Sequence, residues 1–453
     1  METNAEQEKH WDQLQTMLQN EAIKSFRDEF LDMHPYDQAV FFMEQSEKIR
    51  KQIYTYLSPK EIAGIMEHID LEDIKPFFSE MDPRFASMVF TELATDDAVD
   101  ILNELEKEQV VSFLTIMDDK ASDEIKQLLH YEEKTAGSIM TTEFLAIYQT
   151  ETVDKVMKRL KVEGPDAETI YYLYVLDEDK RLVGVVSLRD LIIADENTLI
   201  EEIMSEKIVS VSVAKDQEEI AQMMRDYDFL ALPVIDFQAH LLGIITVDDI
   251  MDVMEEEASE DYSKLAGVSD MDRPDDNAIL SAKKRLPWLV ALLFLGMLTA
   301  SLIGRFEATL EQVAKLAIFI PLIAGMAGNT GTQALAVAVR GLATGDYGKQ
   351  GKTKLILREA LTGLITGSVC GIVITVVVYL WQGEVFLGLL VGISIMASLI
   401  VATLTGSLVP IIIDRFQVDP AVASGPFITT INDIISVLIY FGLATVFMDL
   451  LVS

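Results

Sequence analysis

The stretch Asp419–Phe447, DPAVASGPFITTINDIISVLIYFGLATVF, decides how the chain is read. From Phe427 onward it is apolar enough and long enough to cross a bilayer as a helix. Yet it carries Asp433 inside the span, where a carboxylate costs about 3 kcal/mol unless it faces water, a cation or a partner. At helical spacing Thr429, Asp433, Ser436 and Tyr440 share one face, a polar stripe on a lipid-compatible helix. Pro420 and Pro426 stand just before it and are expected to interrupt the backbone ladder, freeing carbonyl oxygens at similar depth. Such oxygens suit a hard cation. A hydrogen bond that only holds the bundle together is the plainer use of the stripe, but an intramembrane acid points first to an ion path.

Working outward, apolar runs long enough to span lie at about 286–304, 313–339, 357–381, 385–413 and 427–449. Lys283, Lys284 and Arg285 precede the first run, Arg340, Lys349, Lys352, Lys354 and Arg358 crowd the second loop, and Arg415 lies between the last two runs. The positive-inside rule then predicts a cytoplasmic N-terminus and an external C-terminus. Five spans cannot form a two-fold repeat within one chain, so a pore is expected to be shared by two copies, a homodimer in the bilayer. Gly363, Gly367 and Gly371 form a small-residue ridge for close helix packing. In the second run, PLIAGMAGNTGTQ, the kinked backbone and the amides of Asn329 and Gln333 offer oxygens.

Charge divides the chain. The formal net charge is −37. Residues 1–282 carry 25 Lys and Arg against 64 Asp and Glu, while residues 283–453 are nearly neutral, with 11 against 9. An acidic soluble part rejects nucleic acid and anionic lipid and attracts cations. The single cysteine, Cys370, allows no intrachain disulfide, and the polar start METNAEQEKHWDQ leads us to expect no cleavable signal peptide. There is no Walker motif, His/Cys metal cluster or nucleophile elbow, so an enzyme is not expected.

Residues 1–133 read as an acidic all-α domain of short helices, with Ser58-Pro59 and Asp82-Pro83 as start signals. Asp96 and Asp100 lie four apart on one helix face, with Asp97 beside them. Over 134–247 the text repeats. AGSIMTTEFLAI is echoed by IEEIMSEKIVSV, and LVGVVSLRDLI by LLGIITVDDIM, matching Met140 with Met204, Gly184 with Gly243, Ser187 with Thr246 and Asp190 with Asp249. Each copy reads as strand, helix, two strands and a further helix, an α/β unit that resembles a CBS domain, in tandem. That resemblance implies Tyr172, Arg189 and Asp190 as candidates for holding an adenine nucleotide such as ATP. Residues 248–282 begin as an acidic amphipathic helix, with Asp249, Asp252, Glu256 and Glu260 on one face and Asp248, Glu255, Glu257 and Asp261 flanking, while Ile250, Val253 and Met254 face away. GVSDMDRPDDN, with Pro274, reads as a hinge.

The order of parts, the second-span motif P-x3-G-x2-G-N-x-G-x-Q and the DP…TT…D of the fifth together resemble the MgtE family of bacterial magnesium channels. The resemblance implies a multidomain protein: an all-α acidic N-terminal domain (1–133), an α/β tandem CBS pair (134–247), a connecting plug helix and hinge (248–282) and a five-helix transmembrane domain (283–453). It implies a homodimer of the bacterial inner membrane, selective for Mg²⁺ and closed by cytoplasmic Mg²⁺. Asp433 matches the pore carboxylate and Asn329 the second-span motif, with Thr429 and Gln333 completing the expected lining. Sensor ligands map onto Asp96, Asp100, Asp216, Asp228, Asp249, Asp252, Glu257, Glu260 and Asp261, and the plug onto 248–267. Thr332 stands where some members have Asn. The rival expectation is a divalent-metal carrier or exporter coupled to H⁺ or Na⁺.

Overall fold

In the computed structural model, residues 4–269, 277–344, 351–416 and 418–452 are described. Most of the hinge expected at 267–277 lies outside them. The chain divides into two compact units, 1–253 and 254–453.

The first unit begins with short helices laid down at a fixed interval. After two initial helices, Asn4–Gln19 and Ile23–Phe30, successive helices begin at residues 35, 47, 59, 71, 83, 95, 107 and 119, twelve residues apart. Each interval holds about ten helical residues and a tight extended turn. The starts are chemically explicit. Ser58 and Glu61 form a reciprocal capping box with Pro59 in the first turn, and Asp82 accepts from the backbone of Arg84 and Phe85. Alternate helices pack on one another, Pro59–Met66 on Pro83–Glu92 and Leu71–Glu80 on Thr95–Glu104. The result is a two-row stack in which local neighbours supply the core. Phenylalanines run through it: Phe42 meets Phe77 at 5.3 Å between ring centroids, Phe78 stacks on Phe90 at 4.4 Å, and Phe90 meets Phe113 at 5.4 Å. Burying each such side chain is worth about 2–3 kcal/mol.

Two three-stranded sheets follow. In the first, β1 (Phe144–Tyr148) runs parallel to β2 (Thr169–Leu176), which pairs antiparallel with β3 (Leu182–Ser187). The second repeats this order with β4 (Val211–Ser212), β5 (Ala231–Ile235) and β6 (Leu241–Thr246). The echoed residues are exchanged between the copies. Met204 of the second copy fills the space over Gly184 of the first, and Met140 of the first lies over Gly243 of the second. A Cβ on either glycine would lie within 3 Å of the methionine sulfur. Backbone bridges Thr141–Ile244 and Val185–Ser205 repeat the exchange. The linker helix, Val247–Ala266, leaves β6 directly and buries Ile250 and Val253, whereas Met254, expected on the same covered face, is exposed.

Five helices of the second unit are long and apolar enough to cross a membrane: Ala278–Gly304, Ala314–Ala343, Gly351–Gln382, Val385–Arg415 and Gly425–Val446, spans one to five below. Spans three and four approach through backbone. Cβ atoms added to Gly363, Gly367 and Gly371 would collide with Thr403, Met396 and Gly392 of span four. Gly406 of span four meets the carbonyl of Gly331 in span two, and Gly328 meets the Thr429 methyl of span five. Hydroxyls on these faces bond to carbonyls of their own helix, as Ser394 does to Leu390 and Ser407 to Thr403. Span one has no buried residue.

Two expectations for span five are corrected. Pro426 does not interrupt a helical ladder. It occupies the first turn, behind the capping Ser424, where its missing N–H costs nothing, and Pro420 likewise opens a single 3₁₀ turn. The carbonyls of Gly425 and Pro426 accept from the Thr429 and Thr430 hydroxyls. The polar stripe also divides. Ser436 and Tyr440 are buried, and the Tyr440 hydroxyl donates to Leu316 O at 2.9 Å. That half of the stripe holds the bundle together.

Candidate functional site

Asp433 stands one turn beyond Thr429 on span five. It is half-buried, and among the described residues no ion pair or hydrogen bond engages its carboxylate. Thr429 rests on Gly328, so the adjoining surface of span two flanks the same crossing. Gly325, Asn329 and Gln333 follow at i, i+4 and i+8 along the exposed face of span two. The sequence singled out Asn329, Gln333, Thr429 and Asp433, and these sit on two helices that touch. Nothing in a lipid environment would satisfy the two amides and the acid, so this surface requires water, ions or another protein surface against it.

Between them lies a residue the sequence reading passed over. Asn432 is 1 % exposed, and among the described residues neither amide atom has a hydrogen-bond partner. It is pressed onto Gly331, where an added Cβ would come 1.9 Å from Asn432 Nδ2. Its position next to Asp433, one helical neighbour from a motif glycine, was the available signal.

The expected sensor acids fall into three groups. In the first unit, Asp96, Asp100 and Asp249 come together, along with Asp97 and Glu168. Asp96 is buried, and among the described residues its Oδ1 has no hydrogen-bond partner. Burial, then Asp249, Asp97 and Glu168, raise its carboxyl well above the usual range. Asp97 is pushed up to about 8 by burial, with Glu67, Asp249, Asp100 and Glu168 adding repulsion. Asp249 is also raised by burial, although the Thr246 hydroxyl donates to it at 2.5 Å. Asp252 follows on the exposed side of the linker helix, adding repulsion at Asp249.

In the second unit, Asp261 is raised to about 6 by burial and then by Asp419, an acid the sequence reading did not assign. Glu257 and Glu260 are its neighbours on the linker helix. Asp216 and Asp228 do not meet. They cap opposite ends of the helix Gln217–Tyr227, Asp216 through its side chain and Asp228 in a left-handed conformation. Among the described residues no three His, Cys, Asp or Glu side chains form a ready-made metal cage.

The nucleotide candidates lie at one end of the β2–β3 pair. Tyr172 pairs with Ser187 across β2 and β3, and the Ser187 hydroxyl donates to Asp190 at 2.6 Å while accepting from its backbone. Arg189, between them in sequence, is exposed. Thr246 and Asp249 repeat this cap in the second copy. The duplicated S/T-x-x-D signature is therefore, first of all, a helix start.

Three family models match this chain: the divalent cation transporter MgtE at residues 320–443, the MgtE intracellular N domain at 33–134, and the CBS domain at 136–197 and 200–256. The chain is 53 % identical to the magnesium transporter MgtE of Enterococcus faecalis over 99 % of both chains. It is 40 % identical to the Bacillus subtilis magnesium transporter MgtE, covering 95 % of this chain and 96 % of that one. A crystal structure of the soluble part of a magnesium transporter superposes with a TM-score of 0.55 at 48 % identity, covering 56 % of this chain and 99 % of that one. The cytosolic domain of the Mg²⁺ channel MgtE in complex with ATP gives 0.50 at 39 % identity, covering 53 % and 98 %. An all-α N-terminal domain, a CBS pair and five apolar helices, with full-length identity to transporters and not to enzymes, make the chain a multi-pass membrane protein belonging to the MgtE family of divalent cation transporters.

Proposed function

We propose that this protein is a Mg²⁺-selective channel, a homodimer of the bacterial inner membrane with its soluble unit in the cytoplasm and its C-terminus outside. The observation that carries this reading is the unpartnered Asp433 beside the exposed Asn329 and Gln333 of the adjoining span. Two such surfaces related by a two-fold axis enclose a path with one carboxylate from each chain. Mg²⁺ gives up its water reluctantly and prefers octahedral oxygen, so a sparse lining of Asp433, Thr429, Asn329 and Gln333 that binds hydration water suits it better than a dense acidic cage. The magnesium transporters of E. faecalis and B. subtilis support Mg²⁺ as the cargo.

Closure follows from the soluble acids. Without divalent ions, Asp96, Asp97 and Asp249 repel one another, and protonation or a cation relieves them. Mg²⁺ bound there, and by Asp100, Asp252, Glu257, Glu260 and Asp261, favours whichever state brings the acids together, and the channel closes if that state is the closed one. Asp216 and Asp228 contribute from separate positions. ATP, held by Tyr172, Arg189 and Asp190, modulates this equilibrium, with the ATP complex of the related cytosolic domain in support. Mg²⁺-dependent growth of a strain lacking other importers tests the reading. Wild-type protein is expected to restore growth at low Mg²⁺ and Asp433→Ala, expressed at equal level, to fail. Full uptake by that variant would sink the proposal.

A further inference from the structure

The linker helix ends at a direct ion-pair contact. Lys264, in its last turn, donates to Glu260 Oε1 at 2.5 Å and to Asp419 Oδ2 at 2.5 Å. Glu260 belongs to the same helix. Asp419 lies 155 residues later, in the connection between spans four and five, where its other oxygen accepts from Ala421 N. All three side chains are between a quarter and two-fifths exposed. Burial alone would depress the ammonium, but its bonds to Asp419 and Glu260 override that and lift Lys264 to about 12.

The surroundings make this a seat for the helix end. Leu265 packs with Leu335, Ala421, Ala423 and Ile428. Gly267 turns the chain with φ +74°, and a Cβ there would lie 3.0 Å from Pro426 Cγ. Pro426 opens span five, two turns before Asp433. The acids around Lys264 are the second-unit group assigned above to Mg²⁺. A covalently attached monovalent cation already sits between one of them, Glu260, and Asp419.

We infer that Lys264 is a positioning residue, a tethered counter-ion that seats the linker helix on the start of span five without divalent metal and so lowers the Mg²⁺ concentration needed for closure. This rests on the channel reading above. The ammonium neutralises one of the two charges that would otherwise drive Asp419 and Glu260 apart, and its attachment to the helix makes the contact independent of ion concentration.

The test uses full-length protein in liposomes, with Mg²⁺ influx followed by an internal indicator while Mg²⁺ on the soluble-domain side is varied. Lys264→Met is expected to raise the concentration for half-closure by about 3- to 10-fold, the range of a half-buried charge-assisted pair. Flux at the lowest Mg²⁺ should be unchanged, and Lys264→Arg should stay near wild type. The reciprocal exchange Lys264→Asp with Asp419→Lys should recover most of the shift. A second readout needs no transport: in EDTA, proteolysis near residue 267 should be faster in Lys264→Met than in wild type. An unchanged or lowered half-closure concentration, or equal proteolysis, overturns the inference. A wild-type protein that carries no Mg²⁺ would instead count against the channel reading, and the proteolysis comparison would still judge the tether.

Discussion

Asp96 and Asp433 are both acids removed from bulk water, but they are handled in opposite ways. Asp96 is buried among other carboxylates, with Asp97, Asp249 and Glu168 all raising its affinity for a proton or a metal. Among the described residues no ion pair or hydrogen bond engages the Asp433 carboxylate, and it stands on a surface the single chain leaves half open. A crowd of acids responds strongly to cation concentration because each ion relieves several repulsions. A solitary acid attracts a cation and lets it leave. The first arrangement suits a sensor and the second a conduction path. The two units are also held together differently. The soluble unit buries phenylalanines between capped helices, while the membrane unit removes side chains so that backbones can touch, since lipid offers no hydrophobic gain for bringing helices together.

The largest test of this contrast is Asp433→Ala, expected to lower Mg²⁺ uptake by more than tenfold in cells while leaving the Mg²⁺-dependent protection of the soluble unit from protease intact. Loss of both would mean that the acids do not act separately. Next, Gly331→Ala drives a methyl into Asn432 and should cost about 1–3 kcal/mol, read as a lower melting temperature in detergent. An unaltered melting temperature would show that spans two and five separate freely there.

Asp96→Asn should remove part of the stabilisation that millimolar Mg²⁺ gives the full-length protein, with stability in EDTA rising toward the Mg²⁺-bound level. The same acids set a pH trend. Asp97 has a folded pKa of about 8, above its ordinary value of about 4, so its contribution is full at low pH and is lost as pH rises toward 8. Thermal melts in EDTA should therefore show higher stability at pH 6 than at pH 8, and Mg²⁺ should shrink the difference. The smallest effect is expected at Gly64, in a helix of the soluble stack where a Cβ meets nothing within 4 Å. Gly64→Ala should stabilise by up to about 1 kcal/mol, measurable by chemical denaturation.

Much of this was legible from residues alone. The five apolar runs predict five spans because length and hydropathy act locally, and the Gly363–Gly367–Gly371 ridge predicts a close helix contact because nothing else fits there. The start signals Ser58-Pro59 and Asp82-Pro83 are 24 residues apart, so even the twelve-residue helix interval was half visible. Less legible was the fate of the stripe on span five. Periodicity aligned Thr429, Asp433, Ser436 and Tyr440, but which part faces the bundle depends on where span two and the turn before it lie. Asp419 stood in view beside Pro420, and its closeness to Lys264 and Asp261 could not be inferred across more than 150 residues.

By itself, then, the order of residues determined the division into an acidic soluble part and a nearly neutral membrane part, the helix starts, the strand–helix repeats and the intramembrane acid, because charge, capping and hydropathy are properties of neighbouring residues. Only the tertiary structure decided which repeated residues serve which copy. Met140 and Met204 look like matching parts of two separate modules, yet each covers the other module's glycine. It likewise decided which acids gather, for long-range packing brings Asp96 to Asp249 and Lys264 to Asp419 and leaves Asp216 and Asp228 at opposite ends of a helix.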